Sequence, residues 1–213
     1  MRNVAFSLAT VVAVHCMATA TAASQSAADA KLPPLMDEAA EIALARSAAP
    51  AAISSNADVW VLRRGGHEKV VTGMSGVACI VQRDHPDSLY PICYDAEGAR
   101  TILQVALREQ RLREQGWTMD RINADVAAAI ERGELKVPTP SALAWMQSAR
   151  QVIYAGAEGP RIGEWKPHVM VYMPYATEKT TGVMPLADGD FMIREPGTAT
   201  AHLIIISRDW AQR

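Results

Sequence analysis

The sequence predicts an α+β fold, an antiparallel sheet with a helix hairpin packed on one face, in a single domain. Three observations carry that expectation. Short period-two apolar segments bounded by Gly and Pro recur between Val59 and Asp95; two stretches of helical periodicity separated by Gly116 fill 96–133; two Val/Ile-rich runs, 168–173 and 201–206, follow. With 213 residues, 49% of them hydrophobic, the chain can bury one core without help from a metal. The net charge of −2 is spread along the chain, and with no basic patch nothing points to a nucleic-acid partner.

The first 23 residues stand apart from this pattern. Arg2 precedes an apolar run from Val4 to Met17 that ends in Ala18-Thr19-Ala20-Thr21-Ala22-Ala23. A basic start, a short uncharged middle and small residues at the end are the features of a secretory signal peptide, and the run is too short to span a bilayer. The expected mature chain is periplasmic or secreted, with no membrane segment after leader removal. Mass spectrometry of the exported protein should find an N-terminus within a few residues of Ser24; an intact Met1 would refute the leader. Cys16 leaves with it, and His15 stands where a lipid-attachment signal needs a small residue. Cys79 and Cys93 remain as a pair in an oxidising compartment, which favours a disulfide over a metal or redox site.

Residues 24–34, rich in Ala, Ser and Pro, read as a flexible lead-in, and the domain spans 35–213. From Leu35 to Ala49, Leu35, Ile42, Ala45 and Ala49 recur at near-helical spacing, with acids in the first turns and Pro50 as the stop. One amphipathic helix is expected there, on the same sheet face as the hairpin. Trp60-Val61-Leu62, the turn Arg63-Arg64-Gly65-Gly66 and the run His67 to Val71 read as a β-hairpin. Gly73-Met74-Ser75-Gly76 marks a second turn into Val77 to Val81, giving a three-stranded antiparallel meander. After the polar turn Asp84-His85-Pro86-Asp87, Pro91 to Asp95 supplies a fourth strand. Residue 86 is midway between Cys79 and Cys93, so a hairpin centred on that proline sets the two cysteines opposite each other.

Asp95 reads as the N-cap of a helix running to Gln115, with Ile102, Leu103, Ala106 and Leu107 on its apolar face and Glu109 paired with Arg113 one turn on. Gly116 ends it. Thr118 caps a second helix with Met119, Ile122, Val126 and Ile130 on one stripe, closed by Gly133. Prolines and glycines interrupt 134–167, where Ser141 to Tyr154 reads as a helix or a strand pair. His168 to Met173 and Ala201 to Ile206 are strands, the second apolar enough for burial on both faces. Pro174 to Thr200 between them is long and Gly/Pro-punctuated, the profile of a functional flap.

The segments Arg64-Gly65-Gly66-x-Glu68, Gly76-x-x-Cys79-x-Val81, Pro91-x-Cys93-x-Asp95-x-Glu97-Gly98-x-Arg100-Thr101 and Pro167-His168-x-Met170-x-Tyr172-x-Pro174-Tyr175 together resemble a group of exported bacterial proteins with no assigned activity. The resemblance covers most of the mature chain and supports one domain. It implies no chemistry, which must come from the residues.

His168 and His202 are the leading candidates, each opening an apolar strand where packing does not call for a histidine. Tyr172 shares the face of His168. The bland alternative is two half-buried imidazoles bonded to backbone. If the two strands pair antiparallel, the histidines fall at opposite ends of the pair. No His-x-x-x-His, His-Glu-x-x-His or Cys-x-x-Cys occurs, so neither a metal nor another cofactor is expected. Asp84-His85-Pro86-Asp87 is what a hairpin turn requires, Asp95 and Glu97 suit a helix N-terminus, and Ser75 lies in a strand-to-strand turn unlike a nucleophile elbow. Gly65-Gly66 lacks the Lys and helix of a phosphate loop, and Arg63-Arg64 is an ordinary solvated pair beside a turn. Two function classes follow. The first is non-catalytic binding of a small molecule or a protein by a pocket that His168, Tyr172 and His202 line. The alternative is a hydrolase-like enzyme using His168 or His202 as general base beside a carboxylate.

Overall fold

The computed structural model describes residues 32–155, 159–163, 166–183 and 191–207. The predicted leader and residues 24–31 of the lead-in lie outside the described residues.

Helix α1 (Glu38–Arg46) is capped by the Asp37 carboxylate, which accepts from the Ala40 N–H at 3.0 Å. Pro50 ends this helical stretch and also opens a one-turn helix absent from the sequence reading, α2 (Ala51–Ser54). Strands β1 (Asp58–Arg63) and β2 (Gly66–Val71) form the expected hairpin, with Gly65 at φ 98° and Gly66 at φ 127° in the turn.

The expected meander is corrected at the next strand. β3 (Ala78–Gln82) lies on the far side of β1 and runs parallel to it, instead of pairing with β2. The 72–77 link achieves this by wrapping around the start of β1. The Met74 and Ser75 N–H groups and the Ser75 hydroxyl all donate to the Asn56 carbonyl, at 3.2, 3.2 and 2.8 Å, and the Gly73 N–H donates to the Asp58 carboxylate at 2.8 Å. A Cβ at Gly73 would stand 2.2 Å from the Asn56 oxygen, so this glycine permits a close chain crossing.

β4 (Tyr90–Tyr94) returns antiparallel to β3 with Cys93 opposite Cys79, and the two are joined in a disulfide. The 84–87 turn is tied by the Ser88 hydroxyl, which accepts from the Asp84 and His85 N–H groups at 3.1 Å each. Asp95 caps α3 (Ala96–Arg100) through the Gly98 N–H at 2.7 Å. The single helix expected to reach Gln115 is broken at Thr101, whose φ of −122° and ψ of −79° leave helical space, and α4 (Ile102–Glu114) restarts after it. After Gly116, at φ 77°, comes α5 (Met119–Glu131).

The ambiguous stretch resolves as strands: β5 (Ala142–Met146) enters the sheet, while β6 (Ile153–Tyr154) and β7 (Arg161–Gly163) form a separate ribbon. β8 (His168–Tyr172), α6 (Glu178–Thr181), β9 (Phe191–Arg194) and β10 (His202–Ile206) complete the described elements. The eight-stranded sheet runs β2-β1-β3-β4-β5-β8-β10-β9, and only β1 with β3 is parallel. It is a mixed, mostly antiparallel sheet with helices. The segment read as a flap includes α6 and the edge strand β9, so part of it belongs to the sheet; residues 184–190 lie outside the described residues.

Alternation along β3 and β4 divides the core. Ala78, Ile80, Ile92 and Tyr94 face Ile102, Leu103 and Ala106 of α4, whereas Cys79, Val81 and Cys93 face Leu44 and Ala45 of α1. Two further expectations change here. α1 covers the face opposite α4, because Cys79, Val81 and Cys93 supply an apolar surface there as continuous as the first. Within the hairpin, α4 carries the contact with the sheet, and α5 packs on α4 through Ile122, Val126 and Ala129 against Val105 and Leu112.

Candidate functional site

Along one stripe α4 carries Ile102, Val105, Ala106, Glu109, Gln110 and Arg113, the spacing of a single helical face. All six look into a cavity of about 690 Å³. The sheet forms its floor, with Tyr94 on β4, Met146 on β5, Met170 and Tyr172 on β8 and Ile204 on β10. The β6–β7 ribbon walls it with Ile153, Tyr154 and Ile162, and Arg194, Glu195 and Thr200 stand at the β9–β10 turn. The register sets Ala144 between Tyr94 and Met170, and Ala142 beside Tyr172. A space of this size, apolar below and polar in patches, suits a small organic molecule.

His168, Tyr172 and His202 all line this cavity. The strands do pair antiparallel, with His168 opposite Ile206 and His202 opposite Tyr172. The histidines are therefore about 13 Å apart along the strands, on one sheet face. The His202 ring leans on Tyr172, centroids 4.8 Å apart and planes at 40°. Each imidazole Nδ1 donates to a main-chain carbonyl, Lys166 at 2.8 Å for His168 and Thr200 at 2.9 Å for His202. A carbonyl only accepts, so the proton is on Nδ1 in both rings. Burial holds both imidazoles below their usual range, and these backbone bonds pull the other way.

Sequence reasoning missed the acid at the middle of the site. Glu109 hangs from α4 over the floor, and among the described residues its carboxylate accepts no hydrogen bond. Burial pushes its carboxyl up to about 7; Arg113 opposes this, and Glu195 and Asp84 add to it. The expected Glu109–Arg113 ion pair does not form. Arg113 donates instead to the Arg83 carbonyl at 3.3 Å and to Gln110 Oε1 at 3.0 Å. Beneath Glu109, the Tyr94 hydroxyl is completely buried and has no hydrogen-bond partner among the described residues. Burial raises its phenol, with Tyr172 and Glu109 contributing. The Tyr172 hydroxyl meets only the Met170 sulfur, at 3.9 Å, among the described residues. One signal could have found Glu109: it continues the apolar stripe of Ile102 and Ala106 one turn further, where a solvated acid does not belong.

The other polar motifs are structural. Arg63 pairs with Glu38 and Arg64 with Glu114, and Arg64 remains exposed beside the turn. Glu97 pairs with Arg100 and accepts from the Thr139 N–H at 3.2 Å. Among the described residues no group of three or more His, Cys, Asp or Glu is placed to hold a metal, and no helix is long and apolar enough to cross a membrane. No protein-family model matches this chain, and no curated protein or solved structure matches it either.

Proposed function

We propose that this is an exported protein that binds a small molecule in the cavity between α4 and the sheet, with an apolar body on the Met146, Met170 and Ile204 floor and a polar head at Glu109, Tyr94 and Tyr172. One observation carries the reading. Polar groups buried without partners cost about 1–3 kcal/mol each, and Tyr94 Oη, which has none among the described residues, is placed beside the half-buried Glu109 where a ligand would relieve that cost. The hydrolase alternative has less support. A histidine base is normally oriented by a carboxylate at Nδ1, and here both Nδ1 atoms are directed to main-chain carbonyls. Among the described residues the cavity lining also contains no serine or cysteine to serve as nucleophile.

The neutral fluorophore N-phenyl-1-naphthylamine tests the cavity. Its emission should rise and saturate on addition of the protein. Ala106→Phe, which places a ring in the cavity from α4, should abolish the rise while circular dichroism and cooperative melting persist, at a stability cost of about 1–3 kcal/mol. No saturable binding to the parent protein, or undiminished binding to the variant, would sink the proposal.

A further inference from the structure

The geometry points to a ligand whose head is a protonated amine, taken up by Glu109, Tyr94, Tyr172 and His202. This rests on the cavity being a ligand site and specifies what it selects. With Nδ1 of His202 bonded to the Thr200 carbonyl at 2.9 Å, its Nε2 carries a lone pair. The Glu109 carboxylate accepts only, and each phenol oxygen can accept. An alkylammonium group offers three donors and no acceptor, the complement of this set. Beside Glu109 a carboxylate head would instead meet like charge, that of Glu109 and of Glu195 at the cavity rim, whereas the arginines of the lining are Arg83, Arg113 and Arg194.

The neighbours of Glu109 leave this role to it. On its own helix Arg113 is the nearest cation, and its guanidinium is held by the Arg83 carbonyl and Gln110. Asp84 faces it from the β3–β4 turn, Tyr94 from β4, Tyr172 from β8 and Glu195 from the β9–β10 turn; α5 contributes Met119 and Asn123, which carry no charge. Glu195 and Asp84, which act on this carboxylate, are acids, and Arg83 and Arg194 also line the cavity. Tyr94 Oη is the second, independent pointer, because it is fully buried in the cavity floor and has no partner among the described residues.

Ammonium binding requires the ionised carboxylate, so it weakens as pH falls through about 7, where Glu109 takes up a proton. Protonation of His202 on further acidification acts in the same direction.

The test is titration of the whole mature protein with tryptamine, tryptophol and indole-3-propionate, followed by protein amide NMR shifts. The three probes share a ring and a two-carbon spacer and differ in an ammonium, hydroxyl or carboxylate head. At about pH 8, where an alkylamine is charged as lysine is, tryptamine should bind at least about tenfold more tightly than tryptophol, with indole-3-propionate weakest. Glu109→Gln should remove the advantage of tryptamine and leave tryptophol within about twofold of its original affinity. Between about pH 8 and pH 6 tryptamine should weaken by about tenfold and tryptophol should not. Equal affinities for the three heads would overturn the amine assignment and leave the cavity reading standing. If no probe produces saturable shifts, both fall.

Discussion

Replacing both cysteines, as Cys79→Ala with Cys93→Ala, is expected to lower stability by about 3 kcal/mol, because the cross-link closes a loop of about 15 residues in the unfolded chain. For a domain of this size that is a fall in melting midpoint of roughly 6–12 °C. The bond joins β3 to β4 near the middle of the sheet, with both residues fully buried under α1 and Cys93 Sγ 3.5 Å from the Ala45 carbonyl. Its loss is therefore felt through the unfolded state more than through exposed surface. Reductant added to the parent protein isolates the cross-link, since it restores two thiols without deleting atoms from the core. A midpoint unmoved by both treatments would show that the loop-closure argument fails here.

That disulfide was legible because it needs only local information: the turn chemistry at Pro86 sets the register, and the register sets the pair. The position of β3 was not. Gly73 and Gly76 carry the signal of a tight turn, and sequence alone does not separate a turn from a close crossing over Asn56. The choice depends on which strand edge is free, a property of the assembled sheet. The faces taken by α1 and α5 were lost in the same way. An amphipathic stripe says that a helix is covered, and Ile122 or Leu44 carries no record of what covers it. At the site, the two histidines and Tyr172 drew notice as polar residues on apolar strands, and they do line the cavity. Glu109 was read as half of a surface ion pair because its spacing to Arg113 fits one. The structure turns Arg113 toward Arg83 and Gln110, so the spacing rule met a competing partner 30 residues away in sequence.

Glu109→Gln is expected to make the protein more stable at neutral and alkaline pH, and the sign follows from its carboxyl. Burial raises it from an ordinary 4.5 to about 7, so the folded protein holds a proton that the unfolded chain releases. The associated stability is fully present below 4.5 and is lost as pH rises through about 7. Complete ionisation across that gap corresponds to about 3 kcal/mol, and access of water to the cavity brings the expectation to about 1–3 kcal/mol. Glutamine keeps the shape and cannot ionise. Melting curves of the two proteins should therefore coincide near the acid end and diverge between about pH 5 and pH 8, the variant ending higher by roughly 2–12 °C. Titrating groups that do not interact with this carboxylate act on both proteins alike. Asp58, held low in spite of its burial by Lys69 and the Gly73 N–H, loses its contribution on acidification in each and cancels in the difference. Saturating tryptamine should reverse the order, since an ammonium head stabilises only the protein that retains the carboxylate. Parallel curves from about pH 5 to pH 8 would mean that Glu109 is solvated like a surface acid, and the proton linkage assigned to ligand binding would then have no source.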